Sequence, residues 1–295
     1  MNLHALRLFR EIAVTGTVSG AAERLNISQP AVTIQLRKLE KELGFALTRP
    51  HGRGIVMTEA GSWLFAQADR LFLLEADIDA QCEAYRRGER GDLKLAATYL
   101  PANFMLPAWI GSFRHSSPEV KVAVASGNAQ AVLTKLLHYE ADIAWIGGQH
   151  SLPPSIISLP CYEDELWFVA PPDHRLAAGV HSLGELAKEP FILREPGSFT
   201  REALFSLYRT AGVTPPQPAV QLDGPQETIR AAVEGLGITI ASRMEVQTYV
   251  DAGLLARLET NVPPVANPIS RCVRAGDPLP PAAVAFLNAL DGMHC

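Results

Sequence analysis

Between Val18 and Gly44 the chain reads V-S-G-A-A-E-R-L-N-I-S-Q-P-A-V-T-I-Q-L-R-K-L-E-K-E-L-G, and this stretch leaves few folds open. A short helix carries apolar Ala21, Ala22 and Leu25, and Asn26-Ile27 breaks it. Ser28 suits an N-cap, because its hydroxyl can accept from an orphan N–H of the first turn. Pro30 is tolerated there, where no intrahelical donor is lost. Val32, Leu36, Leu39 and Leu43 then recur at steps of four, three and four, which marks one buried face of a helix ending at Gly44.

The opposite face carries the chemistry. Ser28, Gln29, Pro30, Thr33, Gln35, Arg37 and Lys38 crowd the start and middle of the second helix. In a helix-turn-helix those positions enter the major groove. Glutamine can pair bidentately with adenine, and a threonine methyl can touch a thymine methyl. Arg37 and Lys38, further along, suit phosphates. The same spacing also fits an ordinary helix hairpin with a solvated polar face.

S-Q-P-A-V-T-I-Q-L-R-K-L-E-K-E-L-G, followed by M-T-E-A-G at 57–61, resembles the N-terminal signature of LysR-type transcriptional regulators. Two departures stand out. Thr48-Arg49-Pro50 lies where the family usually has an aromatic followed soon by arginine, and Ile34 takes a place that is often basic. The order of elements behind the motif matches the family to the C-terminus. The resemblance implies an α+β protein overall. It would have an N-terminal winged helix-turn-helix, a long linker helix and a C-terminal two-subdomain α/β effector domain resembling periplasmic binding proteins.

The net charge of −5 argues at first against DNA, but its distribution does not. Residues 1–58 carry eight Arg or Lys against four Glu, a balance of +4, which leaves −9 for the remainder. A basic module on an acidic body suits a DNA reader joined to a sensing domain. Pro50-His51-Gly52-Arg53-Gly54 is a turn cluster before a short strand, Ile55-Val56-Met57. Arg53 would stand near a wing tip, where a narrow minor groove attracts arginine. Otherwise it is a solvated loop charge.

Thr58 can cap a long helix from Glu59 to about Arg87. Ala60, Leu64, Gln67, Leu71, Leu74, Ile78, Gln81 and Tyr85 alternate steps of four and three, a heptad seam about 45 Å long. The seam predicts a homodimer through this helix, unless the stripe packs on its own body. Family resemblance adds a homotetramer. A two-fold dimer would meet an interrupted palindrome in promoter DNA.

From Asp92 strand-like runs alternate with helical ones, the signal of an α/β sheet. The predicted divisions are 1–58 for DNA binding, 59–91 for linker helix and hinge, and 92–295 for the effector domain. Pro-, Ser- and Gly-rich stretches at Gly148–Pro160 and Asn261–Pro268 predict two crossovers. These would split the last region into 92–160 plus 266–295, and 161–265, with a cleft between.

Ligands of open α/β sheets sit at the carboxyl ends of strands. That selects Thr98, Tyr99, Ser126, Gly127, Asn128, Gly147, Glu195, Gly197, Ser198, Thr200 and Arg201. Several precede helices, whose N–H groups favour a small anionic effector. Arg201 could add charge, or Glu195 could neutralise it. R-E-P-G-S-F-T-R at 194–201 resembles family members related to Calvin-cycle and sulfur-assimilation regulators.

The eight histidines show no H-E-x-x-H pattern, and no G-x-S-x-G or Walker loop occurs. No catalysis, cofactor or metal is expected. Cys82, Cys161, Cys272 and Cys295 form no C-x-x-C pair and are expected to be reduced, structural thiols. With no apolar signal core and no membrane span, the expectation is a cytoplasmic protein. A solute-binding protein shares the cleft architecture, but not the basic N-terminal module. A metabolic enzyme with a fused helical domain would need the catalytic set that is missing.

Overall fold

The computed structural model describes residues 2–52 and 54–291. The chain forms two compact units, Met1–Glu83 and Ala84–Cys295.

The first unit opens with α1 (Leu3–Thr15), α2 (Val18–Arg24) and α3 (Gln29–Leu43). Leu6, Phe9 and Ile12 of α1, Ala21 and Ala22 of α2, and Val32, Leu36 and Leu39 of α3 share one buried core. Gly16 (φ 70°) and Gly44 (φ 80°) end α1 and α3 in the left-handed region, where glycine has no Cβ penalty. Two short antiparallel strands follow, β1 (Thr48–His51) and β2 (Gly54–Met57), with Pro50 opposite Ile55. Leu47 is fully buried, but Phe45 is 40% exposed, because the chain has already turned out of α3 at Gly44.

The long helix α4 (Glu59–Arg86) starts where Thr58 accepts from Gly61 N at 2.9 Å. A Cβ on Gly61 would stand 2.0 Å from the Leu47 carbonyl oxygen, so only glycine allows this approach. Leu64, Ala68 and Phe72 pack into the helix-turn-helix core. Arg10 pairs with Asp69 at 2.7 Å, Arg7 pairs with Glu75, and the Arg7 guanidinium lies 4.6 Å from the Phe72 ring centroid. The heptad stripe is therefore split. Leu64 serves its own unit, while Leu71, Leu74 and Ile78 are exposed.

The second unit continues with β3 (Arg90–Thr98), α5 (Tyr99–Phe104), α6 (Leu106–Ser116), β4 (Glu119–Gly127), α7 (Ala129–Leu137) and β5 (Ile143–Gly147). Then come β6 (Ile156–Ala170), β7 (Val180–His181), α8 (Leu183–Leu186), β8 (Phe191–Arg194) and α9 (Phe199–Thr210). The chain closes with β9 (Pro218–Leu222), α10 (Pro225–Val233), β10 (Thr239–Ser242), α11 (Arg243–Asp251), β11 (Ala256–Arg257), β12 (Glu259–Thr260), β13 (Val265–Arg274) and α12 (Pro281–Asp291).

One mixed sheet runs β10-β6-β13-β5-β3-β4. Strand β3 lies parallel to both β4 and β5, as the alternation of strands and helices requires. Apolar side chains cover both faces. Leu93, Leu95 and Trp145 pack with Phe113 and Phe286 on one side, and Ala96 and Ile146 with Val132 and Leu136 on the other. A second pair of cores surrounds β6, β8 and β10 further along the chain.

Both stretches expected as crossovers end in strand. Strand β6 begins at Ile156 and β13 at Val265, and they pair antiparallel from Val265↔Leu166 to Arg274↔Ile156. Regular pairing satisfies the backbone polar groups that a coil would leave open. The register shifts between Ile269 and Ser270, which leaves Cys161 as the extra residue. The expectation of uniformly reduced thiols does not hold, since Cys161 is disulfide-bonded. Cys82 and Cys272 are free, and Cys295 lies outside the described residues. Strand β3 already includes Arg90 and Gly91, the last two residues of the division 59–91 expected for linker helix and hinge.

Candidate functional site

The first site is the exposed face of α3. Asn26 adopts φ 56°, which a short polar side chain tolerates, and this allows the sharp break after α2. Ser28 caps α3 by accepting from Ala31 N at 3.4 Å, and Pro30 sits in the first turn. Ser28, Gln29, Pro30, Arg37 and Lys38 are exposed, whereas Thr33 and Gln35 are half-buried. The Gln29 amide donates to Ser19 of α2, and the Thr33 hydroxyl donates to Gln29 O at 3.1 Å. At 100° per residue, Gln29 and Gln35 flank opposite edges of the face. Ile34, 64% exposed, stands between Pro30 and Lys38 and is not among the contacts expected from the sequence. Arg53 lies outside the described residues.

Not every cation of 1–58 is free for a nucleic acid. Arg7 and Arg10 bind carboxylates of α4, and Arg24 reaches Glu11 at 3.4 Å. Among the described residues, the cations of 1–58 without an ion pair are Arg37, Lys38 and Lys41 of α3 and Arg49 of β1.

The second site is a cavity in the second unit. Strands β3, β4 and β5 end side by side at Thr98, Gly127 and Gly147, all of which line it. So do Tyr99, Asn128, Glu195, Gly197, Ser198 and Thr200. Ser126 does not. It is exposed one residue before the end of β4, because side chains alternate along a strand. Arg201 does not line it either. Its guanidinium turns back to Arg194 O and Gln221 Oε1, both at 2.8 Å.

Arg194 is the arginine of the cavity. It is 9% exposed and reaches Glu195 through two hydrogen bonds of 2.7 and 2.8 Å. Its guanidinium also lies 5.8 Å from the Tyr99 ring centroid. Phe199, within the stretch 194–201 noted in the sequence, also lines the cavity, and so do His150, Ser242, Glu245 and Asn267, which the sequence reading does not select. Gly148 (φ 92°) must be glycine, because a Cβ there would stand 2.3 Å from the Phe199 ring.

Four N-cap residues face this one space: Thr98 of α5, Asn128 of α7, Ser198 of α9 and Ser242 of α11. Asn128 accepts from Ala131 N at 2.9 Å and Ser198 from Arg201 N at 3.3 Å. Thr98 instead accepts from Gly147 N at 2.9 Å, which leaves its own O–H as a donor. The helix ends bring partial positive charge and free N–H groups to the cavity.

Glu245 lines the cavity, and Asp164 lies behind the wall residues Ser242 and Asn267. Asp164, 5% exposed, accepts from Ser242 Oγ at 2.5 Å and from Asn267 Nδ2 at 3.1 Å. Glu245, 6% exposed, has its carboxyl pushed up to about 7. Burial is the main cause, and the Asp164 charge adds to it. The Arg194 charge and the Ser242 backbone N–H oppose it.

Among the described residues no group of three His, Cys, Asp or Glu could hold a metal, and no helix is long and apolar enough to cross a membrane.

Residues 3–62 match the model of the bacterial regulatory helix-turn-helix protein, lysR family, and residues 86–293 match that of the LysR substrate binding domain. The chain is 34% identical to the uncharacterized HTH-type transcriptional regulator YeiE of Escherichia coli, over 99% of this chain and 97% of that protein. It is 30% identical to the RuBisCO operon transcriptional regulator of Allochromatium vinosum, over 100% and 98% respectively. Among solved structures, full-length CbnR complexed with its target DNA superposes with TM-score 0.78 at 22% identity, covering 100% of both chains. The regulatory domain of Synechocystis PCC6803 CcmR in complex with 2-PG covers 70% of this chain and 98% of its own, with TM-score 0.63 and 24% identity. With a DNA-reading module in front and an effector-type domain behind, this chain belongs to the LysR family of transcriptional regulators and is not an enzyme.

Proposed function

We propose that this regulator couples promoter binding to a small anionic effector held in the cavity of the second unit. The convergence of the four helix N-termini at Thr98, Asn128, Ser198 and Ser242 carries this reading. Preformed N–H groups and dipoles favour negative charge there. Thr200 and Tyr99 add hydroxyls, and Gly127, Gly147 and Gly197 let backbone approach the ligand. The complex of CcmR with 2-PG supports a small-molecule occupant in this fold.

On the DNA side, Gln29, Pro30 and Thr33 contact bases, with Ser28 and Gln35 at the edges. Arg37 and Lys38 hold phosphates, and Arg53 enters the minor groove. Two copies pair along α4 through exposed Leu71, Leu74 and Ile78, and effector domains join two such dimers into a tetramer. The halves 92–160 with 266–295, and 161–265, close on the effector about the β6–β13 ribbon. Closure changes promoter binding because the effector prefers one arrangement.

The test is recovery of genomic fragments bound by purified protein, followed by titration with and without candidate anions. An interrupted palindrome is expected, with a footprint that shifts when an anion is added. Affinity should fall by ~10³–10⁵ between about 50 and 200 mM salt for roughly 6–10 phosphate contacts. A flat salt response, or a footprint indifferent to every anion, would sink the reading.

A further inference from the structure

The cavity that receives the anion is lined by carboxylates as well as by helix N-termini. Arg194 is its one guanidinium, and Glu195 already holds it through two hydrogen bonds. Glu245 lies in the wall at 6% exposure, with Asp164 behind it at 5% exposure. An incoming anion would therefore add a like charge beside buried carboxylates, in a space where water screens poorly. The helix dipoles offset part of that repulsion, and Glu245 itself already occupies the first turn of α11.

We infer that Glu245 takes up one proton from solvent as the anion enters and donates its O–H to the bound ligand. The effector class is accordingly a small oxyanion whose binding consumes a proton. This deepens the anionic-effector reading and rests on it. The proton leaves a water-borne acid and joins the Glu245 carboxylate, and no covalent bond of the ligand changes. A buried carboxyl kept neutral can act as a hydrogen-bond donor, as a solvated one cannot. The elevated value of Glu245, about 7, places the exchange in a range that a cell's interior pH can move.

The groups that share the space must be separated from Glu245. They are Arg194 and Glu195 at the end of β8, Asp164 on β6, Tyr99 at the start of α5, and His150 after β5. On the same helix, Arg243 is turned away to Tyr162 Oη at 3.3 Å. Of these, His150 is the rival, since a protonated imidazole would also favour an anion at low pH.

The experiment is calorimetric titration of the full chain with sulfate and with oxalate, anions of fixed charge between about pH 6 and pH 8. Repeating it in two buffers of different ionisation enthalpy counts the protons taken up. Expected are net proton uptake and an affinity that falls roughly tenfold per pH unit above about pH 7. In Glu245→Gln, whose amide is a permanent neutral donor, the slope disappears. In His150→Gln it persists. Binding of wild type with no proton uptake overturns the inference but leaves the anion cavity standing. A slope lost in His150→Gln and kept in Glu245→Gln does the same. No binding of either anion at any pH overturns both. The proton count on wild type decides the matter even if a variant fails to fold.

Discussion

Arg194 and Glu195 are neighbours in sequence and partners in space, joined by hydrogen bonds of 2.7 and 2.8 Å. The pair lies at the end of β8, in the wall of the cavity, with the guanidinium also touching Asp223 O at 3.3 Å. A cation that faces a ligand site is thus held in check by its own neighbour.

That pairing sets the first expectation. Glu195→Gln should release Arg194 and raise affinity for sulfate roughly tenfold, as removal of one nearby charge at intermediate dielectric implies. Arg194→Gln should weaken binding by at least as much. Calorimetry at fixed pH reads both. Unchanged affinity in Glu195→Gln would mean that the carboxylate is screened from the ligand.

Stability without ligand should carry the mark of Glu245. Its value in the folded chain, about 7, exceeds the ordinary 4.5. Stability associated with the neutral carboxyl is therefore fully present below 4.5 and lost as pH rises through 7. Wild type should lose on the order of a few kcal/mol over that window relative to Glu245→Gln. Parallel denaturation curves at about pH 5 and pH 8 test this, and equal losses in both proteins would remove Glu245 as the cause.

On the DNA face, Lys38 and Ile34 should part company. Lys38→Ala should weaken binding to all sequences alike and reduce the salt slope by about one. Ile34 is 64% exposed in mid-helix, where a thymine methyl is its natural contact. Replacing thymine by uracil at the contacted position should weaken wild type but leave Ile34→Ala indifferent. Anisotropy titrations on paired duplexes decide it. Equal sensitivity of both proteins would remove the methyl contact.

Much of the molecule is written in local patterns. The steps Val32, Leu36, Leu39 and the cap at Ser28 fix α3 without help from distant residues. The strand ends at Thr98, Gly127 and Gly147 follow from alternation alone. Arg194 is a nearer miss. F-I-L-R is buried throughout, and an arginine ending such a strand is carried to where strand ends meet a ligand, while Arg201 is carried back by its helix turn. Asp164, Ser242, Glu245 and Asn267 had no local signal. Only the register Asn267↔Asp164 and the pairing of β10 with β6 assemble them. Helix α6 contains Pro107 and Gly111, and α11 the β-branched Val246, Thr248 and Val250, residues that weaken a helical pattern in sequence.

The Asp164–Ser242–Asn267 cluster has one more consequence. It fastens β6, β10 and β13 together by hydrogen bonds of 2.5 and 3.1 Å, and Ser242 and Asn267 also form cavity wall. A displacement of Ser242 or Asn267 would therefore be felt at once in the pairing of β6 with β10 and β13.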